Sequence, residues 1–212
     1  MKGKLIYINI LFLISTLFFS PLNSEMKNHI VAKVGNSLIT SIDIENEIIS
    51  NLIINKIEIT QDNINKNKDY ALRNLINKLI KREEINKYKI TKYNKEDLQN
   101  YSLNVAKSFD TNVKGLKEIF KKYNANYETF LRQYETELLW NTLIYSLYRD
   151  QMNINIVEVE NEIANIVSAS KKVLKIDELK ENILNKKKET KLSLFSRSHF
   201  SNLENTISIK FQ

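Results

Sequence analysis

The chain has 212 residues and an apolar content of 42%, enough for one domain with a buried core, which excludes wholesale disorder. Three Gly, one Pro and no Cys predict a helical protein and exclude a disulfide framework, a thiol nucleophile and a thiolate metal site. The formal charge of +7 becomes +5 without Lys2 and Lys4, since 30 Lys and Arg then stand against 25 Asp and Glu. Basic and acidic residues are mixed along the chain, which argues against a nucleic-acid binder.

The first 24 residues are typical of a secretory signal peptide. Lys2 and Lys4 supply its positive start, a 15-residue apolar stretch runs from Leu5 to Phe19, and the small Ser24 offers a cleavage position. An uncleaved membrane anchor is the alternative, although 15 residues are few for a bilayer span. We therefore expect export, with membrane contact only through the signal peptide before it is removed.

Apolar periodicity and turn residues predict the elements that follow this leader. β-branched residues flank Gly35-Asn36, a pair that favours a hairpin turn. Thr40, with Asp43 three positions further on, matches a capping box and therefore starts a helix. The predicted elements are a hairpin over His29–Thr40, a helix beginning at Thr40, an Asn- and Lys-rich loop over Ile57–Lys68, and helices over Asp69–Tyr88, Lys95–Ser108 and Val113–Tyr123.

The longest uninterrupted helical pattern runs from Asn126 to Gln151. Asn126 is a good N-cap, and no Pro or Gly follows it within this stretch. Its apolar residues lie on two opposite sides, with Leu131, Leu138 and Tyr145 on one and Leu139, Trp140, Leu143, Ile144 and Leu147 on the other. Because a helix apolar on both sides has to be enclosed by other elements, we predict that it is the central helix of an all-α core.

The last part of the chain predicts two helices and a strand. The helices cover Val157–Ser168 and Asp177–Ser198, and the second is made basic by Lys186–Lys188, which we interpret as a solvated face. The closing strand alternates, with Ile207, Ile209 and Phe211 on one face and Ser208 and Lys210 on the other. Because such a strand is not stable alone, we expect it to pair with the N-terminal hairpin, giving a mainly α fold with one small sheet.

No arrangement of reactive residues stands out in the sequence. His29 and His199 lie at opposite ends of the chain, and two His without further ligands make a poor metal site. The three Gly are isolated, so no phosphate-binding loop is present. We therefore expect no cofactor, no metal and no nucleic-acid partner.

The aromatic side chains of the central helix are the remaining functional signal. Aromatic rings offer a large contact area with little rotamer entropy to lose, which suits the binding of an extended apolar peptide. Core packing is the alternative, and we favour it for Trp140 and Leu143. Tyrosines are the better candidates because a hydroxyl can stay wet while the ring binds. The candidate substrate-binding residues are Tyr127, Phe130, Tyr134, Trp140, Tyr145 and Tyr148.

Five segments, in this order and spacing, resemble the N-terminal domain and C-terminal segment of the SurA-type periplasmic chaperones. They are VAKVGNSLITSIDIENEI (Val31–Ile48), ALRNLINKLIKREEINKYKIT (Ala71–Thr91), YETFLRQYETELLWNTLI (Tyr127–Ile144), INIVEVENEI (Ile154–Ile163) and LSLFSRSHFSNLENTISIKF (Leu192–Phe211). The resemblance covers nearly the whole chain after the leader. It implies one domain over 25–212, in which a helical core over 25–165 is completed by a helix and strand over 176–212.

The same resemblance implies a function. Members of this family hold unfolded outer-membrane proteins, or other extended apolar peptides, in the periplasm without ATP. They usually carry parvulin-type prolyl isomerase domains before the last helix, but only about a dozen residues separate Glu162 from Ile176, far too few for a domain. We therefore expect a non-enzymatic chaperone. A module that docks one folded partner at the envelope is the alternative, and a prolyl isomerase comes third.

We predict that the leader is cleaved after Ser24, because a positive start, an apolar stretch and a small residue follow in the order that signal peptidase requires. Mass spectrometry of the exported protein should find an N-terminus near Glu25. An intact Met1 in the membrane fraction would contradict cleavage and support the anchor.

Overall fold

The computed structural model describes residues 28–169 and 175–212, so the predicted signal peptide over 1–24 lies outside the described residues. Within these ranges the chain is mainly α, as predicted, with seven helices and a three-stranded sheet. The elements are β1 (Ile30–Val34), β2 (Ser37–Thr40), α1 (Ser41–Ile54), α2 (Gln61–Lys87), α3 (Lys95–Ser108), α4 (Val113–Lys122), α5 (Tyr127–Tyr148), a 3₁₀ turn (Arg149–Gln151), α6 (Ile156–Ala169), α7 (Ile176–Glu204) and β3 (Ile209–Phe211).

The predicted hairpin forms, and β1 is the middle strand of an antiparallel sheet with the order β2-β1-β3. Gly35 makes the turn with a φ of +55°, and a Cβ there would lie 2.8 Å from the Glu83 carboxylate. The predicted pairing of the terminal strand with the hairpin is confirmed. The prediction that Phe211 shares a buried face is wrong, because the apolar cluster under the sheet includes Ile207 and Ile209 but ends before Phe211, which is 66% exposed.

The helix α2 begins two turns earlier than the sequence suggested. The predicted loop over Ile57–Lys68 is wrong beyond Thr60, whose side chain accepts a hydrogen bond from the Asn63 backbone and caps the helix. Ile64 then packs on the buried cluster of α1 and α2, and this contact orders a segment whose composition favours a loop. The last helix also extends beyond the predicted Ser198, to Glu204.

The central position of α5 is confirmed. It contacts α1, α2, α3, α4 and α7. Near its start, Tyr127 and Phe130 join a cluster with Leu116 and Phe120 of α4. Near its end, a second cluster gathers Ile85, Trp140, Leu143 and Ile144, against which side chains of α7 pack. The first half of α5 is therefore covered by the preceding helices and the second half with help from the far end of the chain, but the predicted enclosure of both apolar sides is wrong at Tyr145, which is exposed.

A buried carboxylate joins α1, α2 and α5. The Glu47 side chain is 1% exposed, and its Oε1 accepts hydrogen bonds from Lys78 at 2.8 Å and from Asn51 at 3.2 Å. Asn74 donates to the same oxygen at 3.4 Å, while Gln133 of α5 donates to Oε2. A buried charge is tolerated only when it is paired and hydrogen-bonded, and here donors from three helices meet that requirement.

The helix α6 packs chiefly on α7, away from the central helix. Val159 and Ile183 are buried between them, and Lys187 lies 3.2 Å from Glu162 and 3.8 Å from Glu158. One lysine of the predicted basic face is thus paired across the two helices, whereas Lys186 and Lys188 are exposed. We call α6 together with residues 176–191 of α7 the arm.

We predict that Glu47→Ala lowers the free energy of unfolding by about 3–5 kcal/mol, because it leaves the Lys78 ammonium and three side-chain amides without their acceptor. Urea denaturation followed by circular dichroism measures this change. Glu118→Ala, which removes an exposed carboxylate on α4, is the matched control and should stay within about 0.5 kcal/mol. Equal effects of the two substitutions would show that the Glu47 network adds nothing.

Candidate functional site

Two of the candidate aromatics near the start of α5 lie in the core. Tyr127 is 6% exposed and Phe130 is 5% exposed. Their rings lie 5.5 and 5.0 Å from that of Phe120, and the Tyr127 hydroxyl lies 2.6 Å from Ser102 Oγ. The hydroxyl therefore has a partner inside the protein. Contact of either ring with a bound peptide would require it to leave the core.

Tyr134 lies at the border between core and solvent. Its ring stacks on that of Tyr101 with the centroids 3.7 Å apart and the planes 5° apart. Burial, and then the neighbouring Tyr134, raise the pKa of Tyr101 above its usual range, so the Tyr101 hydroxyl stays protonated at neutral pH. The pair lines a cavity of about 190 Å³ that also contains Glu47 and Lys78. Because one face of the Tyr134 ring is covered by Tyr101, a bound peptide could contact only the outer edge of that ring.

A polar seam between α2 and α5 borders the same region. Lys81 Nζ lies 2.6 Å from Glu137 Oε2, and Arg82 Nε donates to Thr136 Oγ1 at 3.0 Å. Burial, and then the charge of Arg132, lower the pKa of Arg82 from its ordinary value. The ordinary pKa of arginine is so high that the guanidinium stays charged at physiological pH. These contacts pair the charges of two helices, and the seam is structural in character.

Trp140 is fully buried between α5 and α7. Its Nε1 donates to Ser196 Oγ at 2.7 Å, and its ring meets that of Phe200 edge-on at 6.2 Å. The indole therefore uses both its ring and its single donor to attach α7 to α5. This placement matches the packing role that the sequence favoured for Trp140 over peptide contact.

The last two candidates differ in exposure. Tyr148 is half-buried: its ring stacks on Phe195 at 4.7 Å, and its hydroxyl lies 2.9 Å from Nδ1 of His199. The other ring nitrogen of His199 lies 3.3 Å from Glu84 Oε1. Tyr145 is 58% exposed. Of the six candidates, Tyr145 alone presents most of its ring to solvent, so the six do not form one open aromatic groove in this structure.

The arm carries an exposed apolar surface that the sequence did not predict. α1 and α6 are both 14 residues long and carry seven and six large apolar side chains, yet α1 buries four of its seven whereas α6 buries only Val159. A helix of this composition normally covers its apolar side. We call the exposed side chains the arm surface: Ile156, Val157, Ile166, Val167 and Ile176. The signal in the sequence was the apolar character of α6, which has six large apolar residues in 14 positions.

Two open grooves lie on the main body. The hairpin groove has a volume of about 410 Å³ and is floored by Val31, Ile44, Ile48, Ile64 and Leu72. The loop groove has a volume of about 450 Å³ and is lined by Leu52, Ile53, Ile57, Ile59, Phe109, Ile119 and Tyr123. At the rim of the loop groove, Lys56 and Lys122 lie 5.1 and 5.3 Å from the ring centres of Phe109 and Tyr123. Both grooves suit apolar side chains of a peptide.

Within residues 28–169 and 175–212, no helix combines the length and apolar character that crossing a membrane requires. In the same part of the chain, no three His, Asp or Glu side chains gather as a metal site. The two histidines make different contacts: His199 lies between Tyr148 and Glu84, while the His29 backbone bonds to Ser41.

The likeness of this chain to known proteins is one of structure. No protein-family model matches the chain, and no curated protein does. A solved structure from work on two SurA-like chaperones of the human pathogen Campylobacter jejuni, the virulence factor PEB4 and the periplasmic protein Cj1289, has a TM-score of 0.41 and 15% identity to this chain. The similarity covers 87% of this chain and 99% of that one. It is a distant likeness, so function has to be inferred from the residues of this chain.

We predict that Trp140→Ala and Tyr145→Ala separate packing from exposure. Trp140→Ala should cost about 3–5 kcal/mol, because it leaves a cavity and frees the Ser196 hydroxyl. Tyr145→Ala should change the free energy of unfolding by less than about 0.5 kcal/mol, since its ring is mostly solvated. Thermal and urea unfolding measure both. A large loss from Tyr145→Ala would show that this ring packs against the fold.

Proposed function

We propose that this protein is an ATP-independent chaperone that binds unfolded, apolar polypeptide and holds it in solution. The observation that carries the proposal is the arm surface, where α6 leaves five large apolar side chains of the arm exposed while burying one residue of its own. Four of these side chains lie on the same helix, and contiguous exposed apolar area is typical of binding surfaces. The hairpin groove and the loop groove add apolar sites on the main body.

The physical basis is burial of apolar side chains on both partners. Each large apolar side chain that leaves water contributes roughly 1.5–3 kcal/mol. An unfolded client loses chain entropy when it docks, and this loss offsets much of the gain, so the affinity should lie in the micromolar range. Because the apolar contribution dominates, binding should change little with salt.

The finer features of the proposal come from the sequence. The signal-peptide pattern over 1–24 and the five SurA-like segments support a periplasmic site of action and unfolded outer-membrane proteins as clients. They also support one functional unit over 25–212, in which the last helix and strand complete the core. Contacts of α7 with α2 and α5, and of β3 with β1, agree with such a unit.

We predict that Val157→Ser combined with Val167→Ser weakens client holding about tenfold without unfolding the protein, because both side chains are exposed apolar contacts of the arm surface. The measurement is light scattering of a urea-unfolded outer-membrane protein after dilution. Leu103→Ser is the matched control, since Leu103 is 43% exposed on α3 and belongs to neither groove. Tyr145→Ala tests the aromatic candidate in the same assay.

Several results would contradict the proposal. If the wild-type protein suppresses aggregation of no client but captures one folded protein tightly, the docking alternative replaces it. If the arm variant and the Leu103 control lose the same activity, the arm surface is not the binding site. Acceleration of prolyl isomerisation in a protease-coupled assay would support the enzyme hypothesis instead.

A further inference from the structure

The outer edge of β3 carries backbone groups that bond to nothing in the described structure. Gly35 N–H donates to Ser208 C=O at 3.0 Å, and Gln212 N–H donates to Val31 C=O at 3.0 Å. Alternate residues of an antiparallel strand direct their backbone groups to the same neighbour, so Ile209 and Phe211 direct theirs away from β1. Within residues 28–169 and 175–212 these N–H and C=O groups have no hydrogen-bond partner.

Two of the three side chains of β3, those of Lys210 and Phe211, are exposed. Phe211 is 66% exposed at the end of the strand. Lys210 lies directly opposite Lys33, both are exposed, and neither joins an ion pair within the described residues. Like charges directly opposite each other destabilise a sheet, so the fold alone gives no reason for this pair.

We propose that the free edge of β3 binds an extended acidic segment as a fourth strand of the sheet. A strand added there would bond to the backbone of Ile209 and Phe211. Its residue opposite Lys210 would form a non-hydrogen-bonded pair, in which side chains approach most closely. A segment with Asp or Glu at that position and apolar residues on either side therefore fits best, since the apolar residues would lie opposite Ile209 and Phe211.

The same charges argue against another occupant, a second copy of this chain. Two β3 edges pairing antiparallel would bring two Lys210 side chains together beside two Lys33 side chains. Lysine at a sheet edge is a common means of preventing such self-pairing. The charge that repels a second copy attracts an acidic strand. This inference rests on the proposed function, of which it names one contact and one kind of client segment.

The test uses short fluorescein-labelled peptides and the full exported protein in a fluorescence anisotropy titration. The peptides are a seven-residue alternation of Val and Glu, the same peptide with Lys in place of Glu, and the Glu peptide N-methylated on the amides of one edge. We expect the Glu peptide to bind at least tenfold more tightly than the Lys peptide. N-methylation should weaken binding at least tenfold, because it removes ladder donors while keeping every side chain.

Variants of the protein locate the site. Lys210→Glu should make the protein prefer the Lys peptide over the Glu peptide. The substitution also places a carboxylate opposite Lys33, so the melting temperature of the protein should not fall. Lys188→Glu makes the same charge change on an exposed face of α7 and should leave the preference unchanged.

Two outcomes would overturn the inference. If Lys188→Glu alters binding as much as Lys210→Glu does, the peptide responds to overall charge. If N-methylation has no effect, the peptide binds through side chains alone and no strand is added. Either result leaves the proposed function intact when light scattering still shows client holding that depends on Val157 and Val167. Loss of holding together with normal Glu-peptide binding would reject the proposed function and keep the edge site.

Discussion

The need to cover both halves of α5 determines how the rest of the chain is arranged. Helices α1 to α4 precede α5 and cover its first half, where Tyr127 and Phe130 pack on α4. They leave Trp140 and its neighbours without a complete cover, and α7 supplies it from far along the chain. Enclosing one helix therefore requires a contact across more than 50 residues, between Trp140 and Ser196.

This long-range contact has consequences at both ends of α7. Its C-terminal half is held against α5 and α2, so the chain emerges beside β1 and adds β3 to the sheet. In the part of the chain that the structure describes, its N-terminal half packs on α6, with Val159 and Ile183 buried between the two helices. The arm surface and the free β3 edge both follow from this arrangement, because neither of them is used to cover the apolar side chains of the core.

Polar contacts make the arrangement specific. Apolar clusters alone tolerate many packings of similar volume, whereas the Glu47 carboxylate needs donors from α2 and α5 at defined positions. The stacked Tyr101 and Tyr134 rings close the same region from the α3 side. The exposed apolar area lies away from the Glu47 network, on the arm and in the two grooves.

The sequence by itself determined the parts of this protein that depend on near neighbours. The caps at Thr40 and Asn126 and the turn at Gly35 are set by residues within a few positions, and the closing strand had to pair because a lone strand is unstable. Tertiary structure alone decided which apolar residues are covered. Periodicity makes Trp140 and Tyr145 equally apolar positions of one helix, but only the docking of α7 buries the first and leaves the second exposed. Likewise, Thr60 offers a local cap to an Asn-rich stretch, but the packing of Ile64 on α1, which no local pattern records, is a contact between elements.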